Sequence, residues 1–423
     1  MPTAADAPRD LGYRVNDADE HSTPRSGAYE DYVDPDKKPM AIRTIKNDDG
    51  SFSRIYNGRP ARFTYKNFQV VGSNELLEEF GVADSGSDDS GDVIPGSLLT
   101  KLNPLRGLDS EGREEFRKRY RALQEFLDNP ADRLGVMDSM GIECAVNYAT
   151  LPGTEAEFEG DLPGLYANLT ALNRYLGQEW GFNYEDRLFT PPFISFADPE
   201  MALAQLEDVM KIETPRLIQT STGPSMHTSP FRPANDRFWS ICSEAGIRLC
   251  THLATITRYG AAGADWNEDE VMLGDMDAFQ WVFYYGDRPA METIGAAILQ
   301  GWFARFPAMK ILLSEQGTVW LPYLLRKMDH AFMMGRRATW GELSMRPSEY
   351  FKEHCFVAPF PEENVDRVIE ATGVQPIVFG SDFPHGEGLP EPSMYLGQLK
   401  NLSEEDVHAV MRGNLARFLG RDA

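Results

Sequence analysis

The sequence predicts an α/β fold: a (β/α)8 TIM barrel carrying a large insertion after its first strand. Three observations point there. From about residue 131 onward, short apolar and β-branched runs alternate with stretches of helical periodicity. Adding a segment at 13–21 gives eight expected strands, and strands separated by helices form parallel βαβ units that close at that number. Polar residues also gather just past the carboxyl ends of several runs, where such folds keep their chemistry.

The chain is long enough, at 423 residues, for one large barrel with insertions, and its 42% apolar and 25% charged residues are in the globular range. A net charge of −24 argues against nucleic acid or an anionic membrane as partner. The cysteines (Cys144, Cys242, Cys250, Cys355) are widely spaced without a C-x-x-C motif, as expected of small buried hydrophobes. There is no basic n-region with an apolar h-region at the start, and no apolar run approaches ~20 residues. A cytoplasmic protein acting on a small molecule is the expectation.

Residues 1–12 read as a loose leader, and 13–423 as one barrel domain. In Tyr13 to His21, a strand would point Asp17, Asp19 and His21 to one side; a polar turn with chance alternation is the other reading. Residues 30–130 read as an insertion or cap. Within it, Ile42 to Phe63 with its Asp49-Gly50 turn predicts a hairpin, 83–92 a low-complexity acidic loop, and Asp109 onward a helix with Phe116, Tyr120, Leu123 and Leu127 on one face, ended by Asn129-Pro130. The remaining strands are expected at Ile142–Tyr148, Leu188–Phe196, Arg216–Thr222, Ile247–Leu253, Met309–Leu313, Cys355–Ala358 and Ile377–Phe379. Helices are expected at Leu165–Leu176, Met201–Met210, Phe238–Ala245, around Met291–Phe306, Leu321–Phe332 and Val365–Ala371, with a last one from Ser403 through Phe418.

At the carboxyl ends stand Asp19 and His21 on the first strand, His252 on the fifth, Glu315 on the sixth, and Asp382 with His385 after the eighth. Each has a plain reading: His252 as a satisfied core histidine, Glu315 as a helix cap, Asp382 as a turn residue. Imidazoles and carboxylates converging at one mouth nonetheless match a divalent metal site. His227, in the loop after the fourth strand, is a candidate substrate contact or a loop residue. His330 and His354 read as structural and His408 as exposed, while Trp266 and the aromatic cluster Phe279 to Tyr285 read as ordinary packing or as pocket lining.

Gly380-Ser381-Asp382-Phe383-Pro384-His385 resembles the closing signature of the amidohydrolase-related branch of the amidohydrolase superfamily, which includes aminocarboxymuconate-semialdehyde decarboxylase. Asp17-Ala18-Asp19-Glu20-His21 resembles its opening motif, and Leu312 to Pro322 and Asn414 to Phe418 also look like family features. The resemblance covers roughly 13–25 and 131–420, and its motifs are specific for fold and metal more than for reaction. It implies Asp19, His21, His252 and Asp382 as metal ligands. There are two departures. Asp19 stands where the family usually has the first His of His-x-His, and Glu315 and Thr318 replace a His and a Glu found on the decarboxylases' sixth strand.

Carboxylates in place of imidazoles harden the site, so Mn or Fe suits it at least as well as Zn, and five ligands (Asp19, His21, His252, Glu315, Asp382) could hold one ion or two. Three functions follow from the resemblance. The first is a metal-dependent hydrolase or decarboxylase/lyase acting on a small carboxylate or carbonyl compound, with Asp382, His385 and Glu315 as its catalytic groups. The second is a dinuclear Fe/Mn oxygenase on the same barrel. The third is a catalytically silent subunit partnering an active paralogue, so that a homo- or hetero-oligomer is expected.

Overall fold

The computed structural model describes residues 11–25, 27–46, 52–60, 108–124, 127–149, 154–253, 266, 287–335, 341 and 343–421. The acidic loop expected at 83–92, the Asp49-Gly50 turn and the Phe279–Tyr285 cluster lie outside them. Trp266 is 66% exposed, so it is not ordinary packing.

In chain order the strands are β1 (Val15–Ser22), β2 (Arg43–Lys46), β3 (Phe52–Tyr56), β4 (Arg59–Pro60), β5 (Ile142–Ala149), β6 (Asn183–Tyr184), β7 (Leu188–Phe189), β8 (Leu217–Thr220), β9 (Arg248–His252), β10 (Ile311–Ser314) and β11 (Cys355–Val357). One sheet runs β1-β5-β7-β6 and another β11-β10-β9-β8; every pair in them is parallel except the short β6–β7 ribbon. Single parallel bridges, Phe193 to Gln219 at one seam and Val357 to Ile377 and Glu20 to Phe383 at the other, link the two sheets.

Two expected strands are reduced, each for a backbone reason. The third, expected through Phe196, stops at Phe189 because Pro191 and Pro192 offer no N–H to the ladder; pairing resumes where Ile194 N donates to the Gln219 carbonyl at 2.8 Å. The eighth is an extended segment rather than a ladder. Val378 N donates to Val357 and Ala18 N to Phe379, but Phe379 N turns away to the Val410 carbonyl, 3.1 Å off, in the C-terminal helical segment.

The helices fall close to their expected places, with identifiable caps. The Asp198 carboxylate accepts from Glu200 N and Met201 N, both at 3.0 Å, ahead of Pro199–Ile212, and Asp161 does the same for Gly164 N ahead of Leu162–Tyr175. Asn129 does not only end the helix Ser110–Gln124: its side chain caps the next one, Pro130–Met140. The helix expected around Met291–Phe306 is broken into Asp287–Leu299 and Trp302–Arg305 by Gly301, whose φ of 71° is left-handed. The last helix runs as Glu404–His408, a wider turn at Ala409–Gly413, and Asn414–Leu419. In it His408 is half-buried rather than exposed, edge-on to Tyr13.

β2 and β3 form the expected antiparallel hairpin, extended by β4. It docks against the helix Leu162–Tyr175 and the turn before it. Asn168 accepts from Ile42 N and donates to the Met40 carbonyl, both at 2.8 Å, Tyr56 OH donates to Asp161, and Arg59 pairs with Glu157 at 2.7 Å. Beneath the strands an aromatic cluster of Phe196, Phe231, Phe238, Trp239 and Trp302 fills the core between helices. Among the described residues no helix is long and apolar enough to cross a membrane.

Glu155 is a carboxylate sewn into this layer by hydroxyls rather than by a cation or imidazole. It is buried and accepts from Ser195 Oγ and, at 2.5 Å, from Ser221 Oγ, tying the segment after β5 to the two strand ends beside it. Burial pushes its pKa up to about 7, and the serine hydroxyls offset only part of that. The fold keeps this proton up to about pH 7, whereas the unfolded chain releases it near the ordinary 4.5, so stability is lost as pH rises through that window. Glu155→Gln should therefore gain stability relative to wild type by roughly 1–3 kcal/mol between about pH 5 and pH 8, read from urea midpoints at the two pH values. Trp239→Ala, which empties the aromatic core, should lose roughly 3–5 kcal/mol in the same assay at either pH.

Candidate metal centre

β1 is buried along its whole length, so the polar-turn reading of this segment does not hold. Asp17, Asp19, Glu20 and His21 are all at most 3% exposed, and such groups need partners. Asp17 Oδ1 accepts from Ser381 N at 2.9 Å and from Asp19 N at 3.0 Å, which stitches β1 to the loop carrying Asp382. A shift of register between Asp17 and Glu20 breaks the simple alternation, and the Asp19 carbonyl then lies against the 381–383 loop, accepting from Asp382 N at 2.8 Å. Gly380 is required at this crossing, because a Cβ there would stand 2.9 Å from Asp19 Cβ and 3.1 Å from Ala358 Cβ.

The structure brings six of the expected residues together. His252 Nε2 lies 3.1 Å from Asp19 Oδ1 and 3.3 Å from Glu315 Oε2, and His21 Nε2 lies 3.3 Å from Asp19 Oδ1 and 3.1 Å from Asp382 Oδ1. His385 Nδ1 is 2.7 Å from Asp382 Oδ1, its ring stacked 4.0 Å from that of His21. Ligand-capable atoms of Asp19, His21 and His252, of His21, Asp382 and His385, and of Glu315, Asp382 and Glu387 lie within 4.8 Å of one another in each group. Glu315 and Asp382 hold left-handed backbone, with φ of 52° and 58°, strain of the kind that gathers at functional positions. His227 is exposed in its loop, 3.8 Å from Glu159, and belongs to none of these groups.

Glu387, Tyr148 and the neighbours of Glu315 were not foreseen. Glu387 follows His385 by two residues, and a carboxylate that close to the loop's histidine is the signal in the sequence. Tyr148 packs 4.6 Å from the His252 ring and shares a 3.0 Å hydrogen bond with Ser314, a contact between distant strands that no local pattern reveals. Thr318, at the position where the resemblance implies Glu, has its amide and hydroxyl donated to Glu363 at 2.9 and 2.7 Å, so it is occupied in holding the loop. His330 is exposed, and His354 is buried before β11 against Phe303 and the Met309 carbonyl.

The charges divide the site. Burial opposes ionisation of Asp19, but the His252 and His21 rings outweigh it and hold the pKa below the ordinary range; Asp382 is held low in the same way by His385 and His21. Burial and then the charge on His385 keep His21 below its usual value, hence neutral. Desolvation works against the charge on half-buried His385, but Asp382 overrides that and lifts its pKa to about 9. Glu315 is driven well above the carboxylate range by burial and then by Asp382, Glu387 and Asp19.

These residues fit a divalent cation. His252 Nδ1 faces the Leu253 carbonyl at 2.8 Å, and with a proton donated there the neutral ring points its Nε2 lone pair at two carboxylates. Buried His21 Nε2 and Asp382 Oδ2 make no hydrogen bond among the described residues. Lone pairs facing one another from several sides are stabilised by a cation.

The family profile described as amidohydrolase matches residues 163–421. An amidohydrolase from Mycobacterium avium subsp. paratuberculosis K-10 is similar in structure, with a TM-score of 0.77 and 25% identity over 98% of this chain and 100% of that one. Two further solved structures share the fold. One is the 5-carboxyvanillate decarboxylase of Novosphingobium aromaticivorans DSM 12444, complexed with manganese and 4-hydroxy-3-methoxy-5-nitrobenzoic acid, with a TM-score of 0.57 and 15% identity over 97% of each chain. The other is the 2,6-dihydroxybenzoate decarboxylase of Rhizobium, with a TM-score of 0.52 and 17% identity over 76% of this chain and 95% of that one.

The close crossing at Gly380 can be tested directly: Gly380→Ala should cost about 1–3 kcal/mol in urea unfolding while leaving the far-ultraviolet circular dichroism unchanged. With the profile spanning well over half its length, this chain belongs to the amidohydrolase family.

Proposed function

We propose that this protein is a divalent-metal-dependent enzyme, a hydrolase or non-oxidative lyase acting on a small organic molecule that bears a carboxylate or carbonyl. The observation that carries the reading is the meeting of Asp19, His21, His252, Glu315 and Asp382 from four separate strand ends, with lone pairs turned toward one another. The names of the structurally similar decarboxylases, one with bound manganese, favour a carboxylate substrate and a lyase. We further read the two bridged sheets as one closed (β/α)8 barrel, with 30–130 as a cap after its first strand.

When bound, the cation would polarise a substrate oxygen and lower the pKa of a coordinated water. Asp19, His21, His252 and Asp382 would hold it, with Glu315 as a fifth ligand. The remaining roles belong to protons. Asp382 is ionised and accepts at Oδ1 from His385 Nδ1, so the pair can take up or return a proton at that nitrogen. Glu315 keeps its carboxyl protonated while no cation offsets its neighbours, so a cation bound there would release that proton.

Elemental analysis of protein purified without added metal should find about one equivalent of divalent ion. Asp382→Ala should lose both the metal and at least about 100-fold in turnover of aromatic carboxylates; a variant that keeps both would refute Asp382 as a ligand. One observation favours a second reading, a dinuclear Fe/Mn oxygenase: Glu315, Asp382 and Glu387 form a further carboxylate group beside Asp19, His21 and His252. Two equivalents of iron or manganese with oxygen consumption would select it, and one equivalent of zinc would dismiss it.

A further inference from the structure

One cation lies under the candidate centre, and it has no place among the ligands. Arg133, on the helix Pro130–Met140, is completely buried. Its Nε donates to Glu20 Oε2 at 2.9 Å, and its Nη2 donates to the His21 carbonyl at 2.9 Å and more loosely to the Phe383 carbonyl at 3.5 Å. The guanidinium carbon stands 5.3 Å from the centre of the Phe383 ring. His21 is a candidate ligand, and Phe383 directly follows another, Asp382. The Phe383 carbonyl also accepts from His21 N at 2.8 Å, so the two ligand-bearing segments are joined where the guanidinium sits.

We propose that Arg133, paired with Glu20, is a positioning residue that sets the separation of His21 from Asp382 and thereby the affinity of the centre for a divalent cation. The proposal rests on the metal-centre reading above. A guanidinium is planar and its donors are fixed relative to one another, so contacts with Glu20 and the two carbonyls hold those acceptors in one arrangement. Glu20 supplies the negative charge that lets the guanidinium be buried and holds it from the β1 side. The contacts end on the backbone of the ligand segments. Arg133 therefore acts on the geometry of His21 and Asp382 and touches neither the cation nor a substrate. A lysine keeps the charge but, as a point donor, cannot hold the same planar set of contacts.

The test titrates Mn²⁺ into metal-free protein, against a competing chelator, for wild type, Arg133→Met, Arg133→Lys and Met137→Ala. Met137 lies one turn along the same helix, buried in the main core and without polar contacts, so its truncation loosens the helix and leaves the guanidinium in place. Arg133→Met should bind Mn²⁺ about 10–100-fold more weakly than wild type, with Arg133→Lys between the two. Met137→Ala should melt at a lower temperature yet bind within about threefold of wild type, because it does not touch the ligand carbonyls. Wild-type affinity in Arg133→Met overturns the proposal, as does an equal loss in Met137→Ala. Should Arg133→Met fail to fold, Arg133→Lys decides: undiminished affinity in it overturns the proposal. A wild-type protein that takes up no Mn²⁺ would instead refute the metal centre itself, and the proposal would fall with it.

Discussion

The structure depends on the burial of one charged strand. β1 places Asp17, Asp19, Glu20 and His21 out of water in sequence, and a buried ionisable group left unpaired costs several kcal/mol. Each is answered by a different part of the chain: Asp17 by the Ser381 amide, Glu20 by Arg133, Asp19 by His252, His21 by the Asp382 carboxylate. Pairing of backbone alone would leave the two sheets joined by single bridges at this seam. The polar partners of β1 fix where the seam lies, and the candidate centre is the place where those partners meet.

The arrangement separates two kinds of buried charge. Below the site, a guanidinium and a carboxylate pair off, and an amide caps Asp17, while Arg133 Nη1, Glu20 Oε1 and Asp17 Oδ2 make no hydrogen bond among the described residues. At the mouth, the His21 and His252 imidazoles face carboxylates, with His385 and Glu315, both half-buried, at the edge. Burial opposes ionisation in both places: it drives Asp17, Glu20 and Glu315 up, and only Asp19 and Asp382, which face imidazoles, are held low.

Much of this was legible in the residue order, because both the strand–helix alternation and the candidate ligands are local signals. Alternate polar residues ending in Asp19-Glu20-His21, or a β-branched run ending in Gly380-Ser381-Asp382, announce a polar group at a strand end, and the family resemblance supplies the order in which such ends meet. What escaped was set by distance or by backbone. The loss of ladder at Pro191-Pro192 was written in the sequence, but the turn of Phe379 N toward Val410 depends on how the last helix packs. Arg133 resembled any basic residue on an amphipathic helix. Its partners lie 112 to 250 positions away, and no periodicity connects them. Glu387, two residues beyond His385, is within reach of local reading.

The bond from Ser381 N to Asp17 Oδ1 spans 364 positions of chain. During synthesis, which adds on the order of 5–20 residues per second, β1 leaves the ribosome long before Asp382 exists. For that interval Arg133 and His252 can answer Glu20 and Asp19, but Asp17 and His21 must wait for Ser381 and Asp382. A molecule truncated before residue 381 would lack the Ser381 amide that answers Asp17 and the Asp382 carboxylate that answers His21, and with them the proposed cation site.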